Sequence, residues 1–350
     1  MLQYRPNVFN CFTFIRELTV ANIDNSLLGG RLRVILAVFI SVLSAAAWAQ
    51  APYPTQPIRI INPSAPGSAS DISARRLADG MAKILNTPIT IESRPGAGGG
   101  IASEFVARAP ADGYTLLAGS INTHGINSGL YKSLRYDPVK DFIPVIKINS
   151  FANVFVVNQQ VKANSFPEFV ALAKSRSAEP MTFASGGQGT TMHILGELIK
   201  QDAAIPYTHV PYPGSPKVFS DLIPGRVDSF FAGSALLKPF IDAGTLKPLA
   251  VSSSTRLPML PNVPTMRELG LQRAEMQIWI GLFAPANTPA NVIETLIKAA
   301  RQVLEDPAII QAFRNEGSTV EKSTQPEFAA EVQSEVIRWK KIGAELNLTN

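Results

Sequence analysis

Ile58-Arg59-Ile60-Ile61-Asn62-Pro63-Ser64-Ala65-Pro66-Gly67-Ser68-Ala69-Ser70-Asp71 is the stretch that decides the fold. Its apolar, β-branched start reads as a strand. Behind it, Ala74, Leu77, Ala78, Met81, Ile84 and Leu85 share one helical face, predicting a helix over Ile72–Leu85 with Ser70 or Asp71 as N-cap. The small residues between expose backbone. Free N–H groups at a helix start, together with the positive end of its dipole, suit an anion. Arg94–Gly100 and Ser185–Gly189 are two more loops of this kind.

The same strand–loop–helix unit repeats along the chain. Ile89–Glu92, a helix over Ile101–Ala109 and a strand Tyr114–Ala118 complete β-α-β-α-β, which predicts a parallel sheet. Phe142–Val157 reads as an extended apolar crossing with a break at Asn149-Ser150. Alternation then resumes: helix Pro167–Lys174 behind the capping box Ser165–Glu168, strand Met181–Ala184, helix Thr190–Lys200 and strand Tyr207–Val210. Ser215-Pro216 opens a helix to Ile223. Strand Val227–Phe231, helix Ala235–Ala243 and strand Leu246–Val251 follow. Gln277–Pro285 is a return crossing. Helix Ala290–Leu304 and a helix behind Thr324-x-x-Glu327, with Phe328, Val332, Val336 and Trp339 on one face, should pack back on the first part. The expectation is an α/β, two-domain architecture with two strand crossings as a hinge and a ligand cleft between the domains. Residues 53–150 plus 278–350 form one domain and 151–277 the other.

The 350 residues are 46% hydrophobic and 17% charged, a globular composition. The net charge of +5 is spread out, with no basic run of the kind nucleic acid needs, so none is expected as a partner. Arg31 and Arg33, the apolar run Val34–Leu43 and Ala47-Trp48-Ala49 are arranged like a cleaved secretory signal, which places the mature chain outside the cytoplasm. Residues 1–49 are therefore read as leader, with residues 1–30 an atypical extension. Removing them takes away four basic and two acidic residues, leaving +3, and the only cysteine, Cys11.

Catalytic signatures are sparse. His124, His193 and His209 lie in no zinc spacing, and no cofactor or metal is expected. Phe183-Ala184-Ser185-Gly186-Gly187 lacks the first glycine of a nucleophile elbow, and Arg94–Gly100 lacks the Lys-Ser/Thr of a nucleotide loop. His124 reads either as a ligand contact or as a local loop bond, and His193 as a capped or core residue. Asp71 reads as a helix cap, with a counter-charge for a ligand amine or a loop brace as its functional alternatives. Asp228 reads as a loop brace or a cleft residue, the brace being favoured, and Tyr212 packs under the cleft and offers a hydroxyl there.

Several motifs in order resemble the Bug family of extracytoplasmic solute receptors, which serve tripartite tricarboxylate transporters. They are Arg94–Gly100, Ala111-Asp112-Gly113-Tyr114-Thr115, Tyr136-Asp137-Pro138 with Asp141-Phe142, and His209-Val210-Pro211-Tyr212. Leu260–Thr265 and Trp279–Pro285 add to them. The resemblance runs from about Tyr53 to about Leu348. It implies a type II-like periplasmic-binding-protein fold that captures a carboxylate with loop backbones and bridging water. It also implies a permease as partner. Ser64 stands where the family commonly has an aromatic, Ser68 and Ala102 where it has glycines, and Pro213 where it has lysine.

The reading is a non-enzymatic, monomeric periplasmic receptor for a di- or tricarboxylate or related organic acid. Its expected ligand contacts are Ser64, Gly67, Ser68 and Asp71 from the first loop. Ser120, Asn122 and Thr123 follow the third strand, and Ser185, Gly187, Gly189 and Thr190 come from the second domain. Gly67 and Ser68 are expected to give N–H groups to the ligand. The alternatives are a secreted hydrolase or lyase pairing Ser185 or Ser120 with His124 or His193, and a ligand sensor for a signalling system. A Ser–His distance separates the enzyme from the receptor.

Overall fold

The computed structural model describes residues 53–346; the predicted leader lies outside the described residues. Tyr53 onward forms one compact unit. Among the described residues are ten strands: β1 (Ile58–Asn62), β2 (Ile89–Ser93), β3 (Thr115–Ser120), β4 (Phe142–Asn158), β5 (Met181–Ser185), β6 (Tyr207–Pro211), β7 (Ser229–Gly233), β8 (Leu246–Val251), β9 (Gln277–Pro285) and β10 (Ser318–Val320). Helices of eight residues or more are α1 (Ala69–Leu85), α2 (Gly100–Ala107), α3 (Phe166–Ser175), α4 (Thr191–Asp202), α5 (Ser234–Asp242), α6 (Ala290–Leu304), α7 (Pro307–Asn315) and α8 (Gln325–Leu346).

The sheet runs β2-β1-β3-β9-β4-β7-β5-β6, with β8 and β10 also on β4. As expected, β1 pairs in parallel with β2 and β3. In the other half, β5 pairs in parallel with β6 and β7. The antiparallel strands β4 and β9 lie between these halves. The first part of β4, through Ala152, pairs with β9, and from Asn153 onward β4 pairs with β7 and β8. The break expected at Asn149-Ser150 does not occur. The register instead slips between Lys147 and Asn149, and the strand continues, because both residues keep cross-strand partners on β9.

Side-chain alternation divides the core of the second half. Phe155, Phe183 and Phe231 point into the larger apolar cluster, whereas Val154, Val156, Ala184, Phe230 and Ala232 point into a smaller one on the opposite face. The face of α8 read from sequence is buried as expected, with Phe328, Val332, Val336 and Trp339 all in the core. Close approach by α8 depends on small residues. A Cβ at Gly129 would collide with the Trp339 carbonyl, and one at Gly343 with the Gly129 carbonyl. The helix α7 and strand β10 were not anticipated, although Asp306 caps α7 by accepting from the Ala308 N–H at 2.7 Å.

Candidate functional site

All six strands of the two parallel sets end at one cavity of about 530 Å³, β1, β2, β3, β5 and β6 through the segments that follow them and β7 through Gly233 and the start of α5. This is the carboxyl-end geometry expected for open α/β sheets. The rim is built from the two serine- and glycine-rich entrances to α1 and α4, with Pro95–Gly99, Ser120, Asn122 and Tyr212–Ser215 between them. The floor is the crossing pair of strands: Phe151 and Asn153 of β4, Ile278 and Ile280 of β9. Every lining residue is uncharged.

The α1 entrance is set by its cap. The helix starts at Ala69, three residues before the predicted start, because Ser68 rather than Ser70 or Asp71 is the N-cap: its Oγ accepts from the Asp71 N–H at 3.3 Å. Asp71 Oδ2 accepts from the Gly67 N–H and from Arg75 Nε, both at 2.9 Å. Its Oδ1 accepts from Asn62 Nδ2 at 3.4 Å. The Ser68 N–H donates to the Ala65 carbonyl at 3.2 Å. The N–H groups of Gly67 and Ser68 are thus both taken up inside the loop. In their place, Ala69 and Ser70 present the first turn of α1 to the cavity.

At the α4 entrance, Thr190 is the N-cap, accepting from the His193 N–H at 3.4 Å. Thr191 and Met192 bring the first turn to the cavity. Ser185 is fully buried, and its Oγ bonds both backbone groups of Gly187, at 3.0 and 3.1 Å. It also lies 2.7 Å from His209 Nε2. His193 Nδ1 accepts from the Gly189 N–H at 3.3 Å. The two imidazoles lie with ring centroids 4.2 Å apart. Burial, then His193 and Lys200, push His209 down to about 4; burial, then Lys200, also lowers His193. His209 is therefore neutral at neutral pH, and His193 meets the Gly189 N–H with an unprotonated Nδ1.

Six of the residues expected to touch ligand line the cavity: Ser64, Ser68, Ser120, Asn122, Gly187 and Thr190. Asp71, Thr123, Ser185 and Gly189 are buried behind the lining, and Gly67 is exposed on the loop outside it. Thr123 is buried, with Oγ1 accepting from the Ser120 N–H at 2.9 Å, so it shapes the loop that presents Ser120. Asn122 closes the rim by donating from Nδ2 to the Gly189 carbonyl at 2.9 Å, joining the first half of the chain to the second.

His124 is a core residue. Its ring is stacked 3.8 Å from that of Phe283, its Nδ1 lies 2.8 Å from Thr123 Oγ1, and burial pushes it down to about 3. Asp228 is the expected brace, accepting from the Thr182 N–H at 2.7 Å and pairing with Arg176 at 3.3 Å. Tyr212 lines the cavity and donates to Asp221 at 2.8 Å; burial, then Asp221, raise its hydroxyl to about 12. The Ser–His pair that forms is Ser185 with His209, not the pairings anticipated. It sits behind the wall and holds Gly187.

Residues 73–348 match the profile of the family described as "Tripartite tricarboxylate transporter family receptor". The chain belongs to this receptor family. It is similar to the protein BugT of Bordetella pertussis, 32% identical over 322 residues, covering 90% of this chain and 98% of that protein. Two solved structures from Rhodopseudomonas palustris are also similar. One, with adipate, has a TM-score of 0.79 at 30% identity and covers 84% of this receptor and 98% of its own chain. The other, MatC with bound malate, has a TM-score of 0.78 at 30% identity, covering 83% and 100%.

Sequence reasoning missed the receptor's cavity floor. Phe151, Asn153, Ile278 and Ile280 lie in runs that read simply as crossing strands. The available signal was polarity: Asn153 interrupts the apolar stretch Phe151–Val157. In the receptor's Tyr212–Ser215 loop, Tyr212 lies at the cleft as expected, while Pro213, Gly214 and Ser215 join the lining without having been expected as contacts.

Proposed function

We propose that this receptor captures a small carboxylate in the cavity and presents it to the membrane permease of a tripartite tricarboxylate-type transporter. The observation that carries this reading is the cavity itself: an uncharged pocket into which the first turns of both α1 and α4 point. Two sets of helix N–H groups, with serine and threonine hydroxyls beside them, stabilise a carboxylate without a side-chain cation. The adipate and malate seen with the two R. palustris proteins have this chemistry.

The domain division expected from the sequence, residues 53–150 with 278–350 against 151–277, belongs to the same proposal. Its support is the change of pairing partners along β4 at Ala152–Asn153. Contacts across the rim, such as Asn122 to Gly189, are then closed-state contacts of a monomer. Export to the periplasm by the predicted leader completes the reading, and Ser185, Gly67 and Asp71 act in it as loop supports.

A thermal-shift screen of mono-, di- and tricarboxylates tests the function. A ligand that binds only the native state raises the melting temperature with concentration. A carboxylate that does so, with a smaller radius of gyration in small-angle scattering, supports capture by closure. A screen in which only uncharged analogues stabilise the protein refutes it.

A further inference from the structure

The rim and the floor of the cavity differ in chemistry, and the floor selects the body of the ligand. Phe151 and Ile278 are direct cross-strand partners on β4 and β9. Ile280, two residues further along β9, shares their face. Leu236, in the first turn of α5, lines the same space. The Phe151 ring lies against the end of β7, where residue 233 is glycine; a Cβ there would sit 3.1 Å from the ring. The polar exception on the floor is Asn153, whose Nδ2 donates to Thr191 Oγ1 at 3.3 Å.

We infer that the receptor's ligand is a carboxylate whose body is apolar and free of hydroxyl groups, an aromatic ring or a plain aliphatic chain, and that Phe151, Ile278, Ile280 and Leu236 determine this preference. The inference rests on the carboxylate reading above and narrows it. The acid group takes the hydroxyls and N–H groups of the rim, and the body lies on the β4–β9 floor. Removing apolar surface from water against this floor favours each methylene or ring carbon. A hydroxyl lying against Phe151, Ile278, Ile280 or Leu236 gives up its water without a partner, and Asn153 is the one polar side chain on the floor, so malate-like bodies are disfavoured wherever they reach past it. A citrate-like ligand brings three charges into a cavity with no cationic side chain among its lining residues.

Calorimetry on the purified receptor with phenylacetate, adipate, malate, citrate and 2-phenylethanol tests this. The expected result is that phenylacetate or adipate binds at least about tenfold more tightly than malate and citrate. Malate or citrate binding as tightly as both overturns this inference and leaves the carboxylate reading standing. Equal binding of 2-phenylethanol and phenylacetate overturns the carboxylate reading, and this inference with it. No binding of any of the five overturns both.

Two variants locate the preference. Leu236→Asn, at a half-buried position, should weaken the favoured acid about tenfold while leaving malate unchanged or tighter. Phe151→Ser should do the same, with its melting curve checked for an intact fold. Equal loss for all acids in a folded Leu236→Asn protein would overturn the assignment of the floor.

Discussion

The entrances to α1 and α4 solve the same problem in different ways. Each follows a parallel strand, passes through small residues, and is capped by a hydroxyl that accepts from the N–H three residues on. Behind the α1 entrance stands a carboxylate. Asp71 accepts from Gly67, Arg75 and Asn62, so this loop is held by an ion pair with hydrogen bonds around it. Behind the α4 entrance stand two imidazoles and a serine: His193 accepts from Gly189, and His209 bonds the Ser185 hydroxyl that secures Gly187. The same loop shape can thus rest on a fixed charge or on groups that must stay uncharged. The two supports should fail under different conditions.

The largest effect is expected from the charged support. Asp71→Ala leaves the Gly67 N–H without its acceptor and Arg75 without its partner, and should destabilise the fold by about 3 kcal/mol. Urea unfolding measures this. A loss below about 1 kcal/mol would mean that the loop holds itself without the carboxylate.

Acidification should strike the other support. His209, at about 4, and His124, at about 3, stay neutral in the folded chain, whereas the unfolded chain binds their protons near pH 6.5. Between about pH 6.5 and 4 the unfolded state therefore holds more protons, and stability falls as pH falls. For the fully buried His124 alone, the slope approaches about 1.4 kcal/mol per pH unit. Denaturation at pH 7 and pH 5 should show the loss; His124→Gln should remove the part that comes from the core, and His209→Gln the part that comes from the α4 entrance. Hydrogen exchange should rise in Gly186–Gly189 before it rises in Pro63–Gly67. The reverse order would break the contrast between the loops.

A smaller effect is expected at Gly67. Its φ of +77° disfavours any side chain, although a Cβ would stand a comfortable 3.8 Å from Pro216. Gly67→Val should cost about 1–3 kcal/mol from backbone strain and weaken ligand binding by tilting Ser68 and the α1 entrance. Calorimetry matching wild type would show that the α1 entrance plays no part in recognition.

The smallest effect is expected from salt. With no charged side chain in the lining, ligand affinity should change by less than about threefold between about 0.05 and 0.3 M salt. A tenfold loss would mark an arginine or lysine acting on the site from outside the lining.

Much of the fold was legible because each unit carries its own local signals. Leu246–Val251, Gln277–Pro285 and Ala290–Leu304 have the predicted boundaries, where periodicity and flanking turn residues agree. The start of α1 was misplaced because Ser68, Ser70 and Asp71 are all good caps, and local sequence does not rank them. Tertiary packing does: Asp71 is drawn inward to Arg75, Gly67 and Asn62, which leaves Ser68 as the cap. The site was half legible. Glycine, serine and threonine after a strand mark a loop that can meet a ligand, but the same residues also serve as its internal supports. Ser185 and Thr123 look like contacts, and their hydroxyls bond the backbone of Gly187 and Ser120 instead of lining the cavity.

By itself, the sequence determined the alternation of strands and helices, the positions of the small-residue loops and the two crossings. These follow from hydrophobic period, turn chemistry and capping, all of which act over a few residues. Only the tertiary structure decided which N–H groups remain free, which histidines face each other, and that Phe151 meets Ile278 beneath the rim. Those outcomes depend on how loops fold onto themselves and on strand register, up to the pairing of Phe151 with Ile278 across the crossing. Register sets which face of β4 and β9 looks into the cavity, and in strands buried almost throughout the one local hint to it is Asn153.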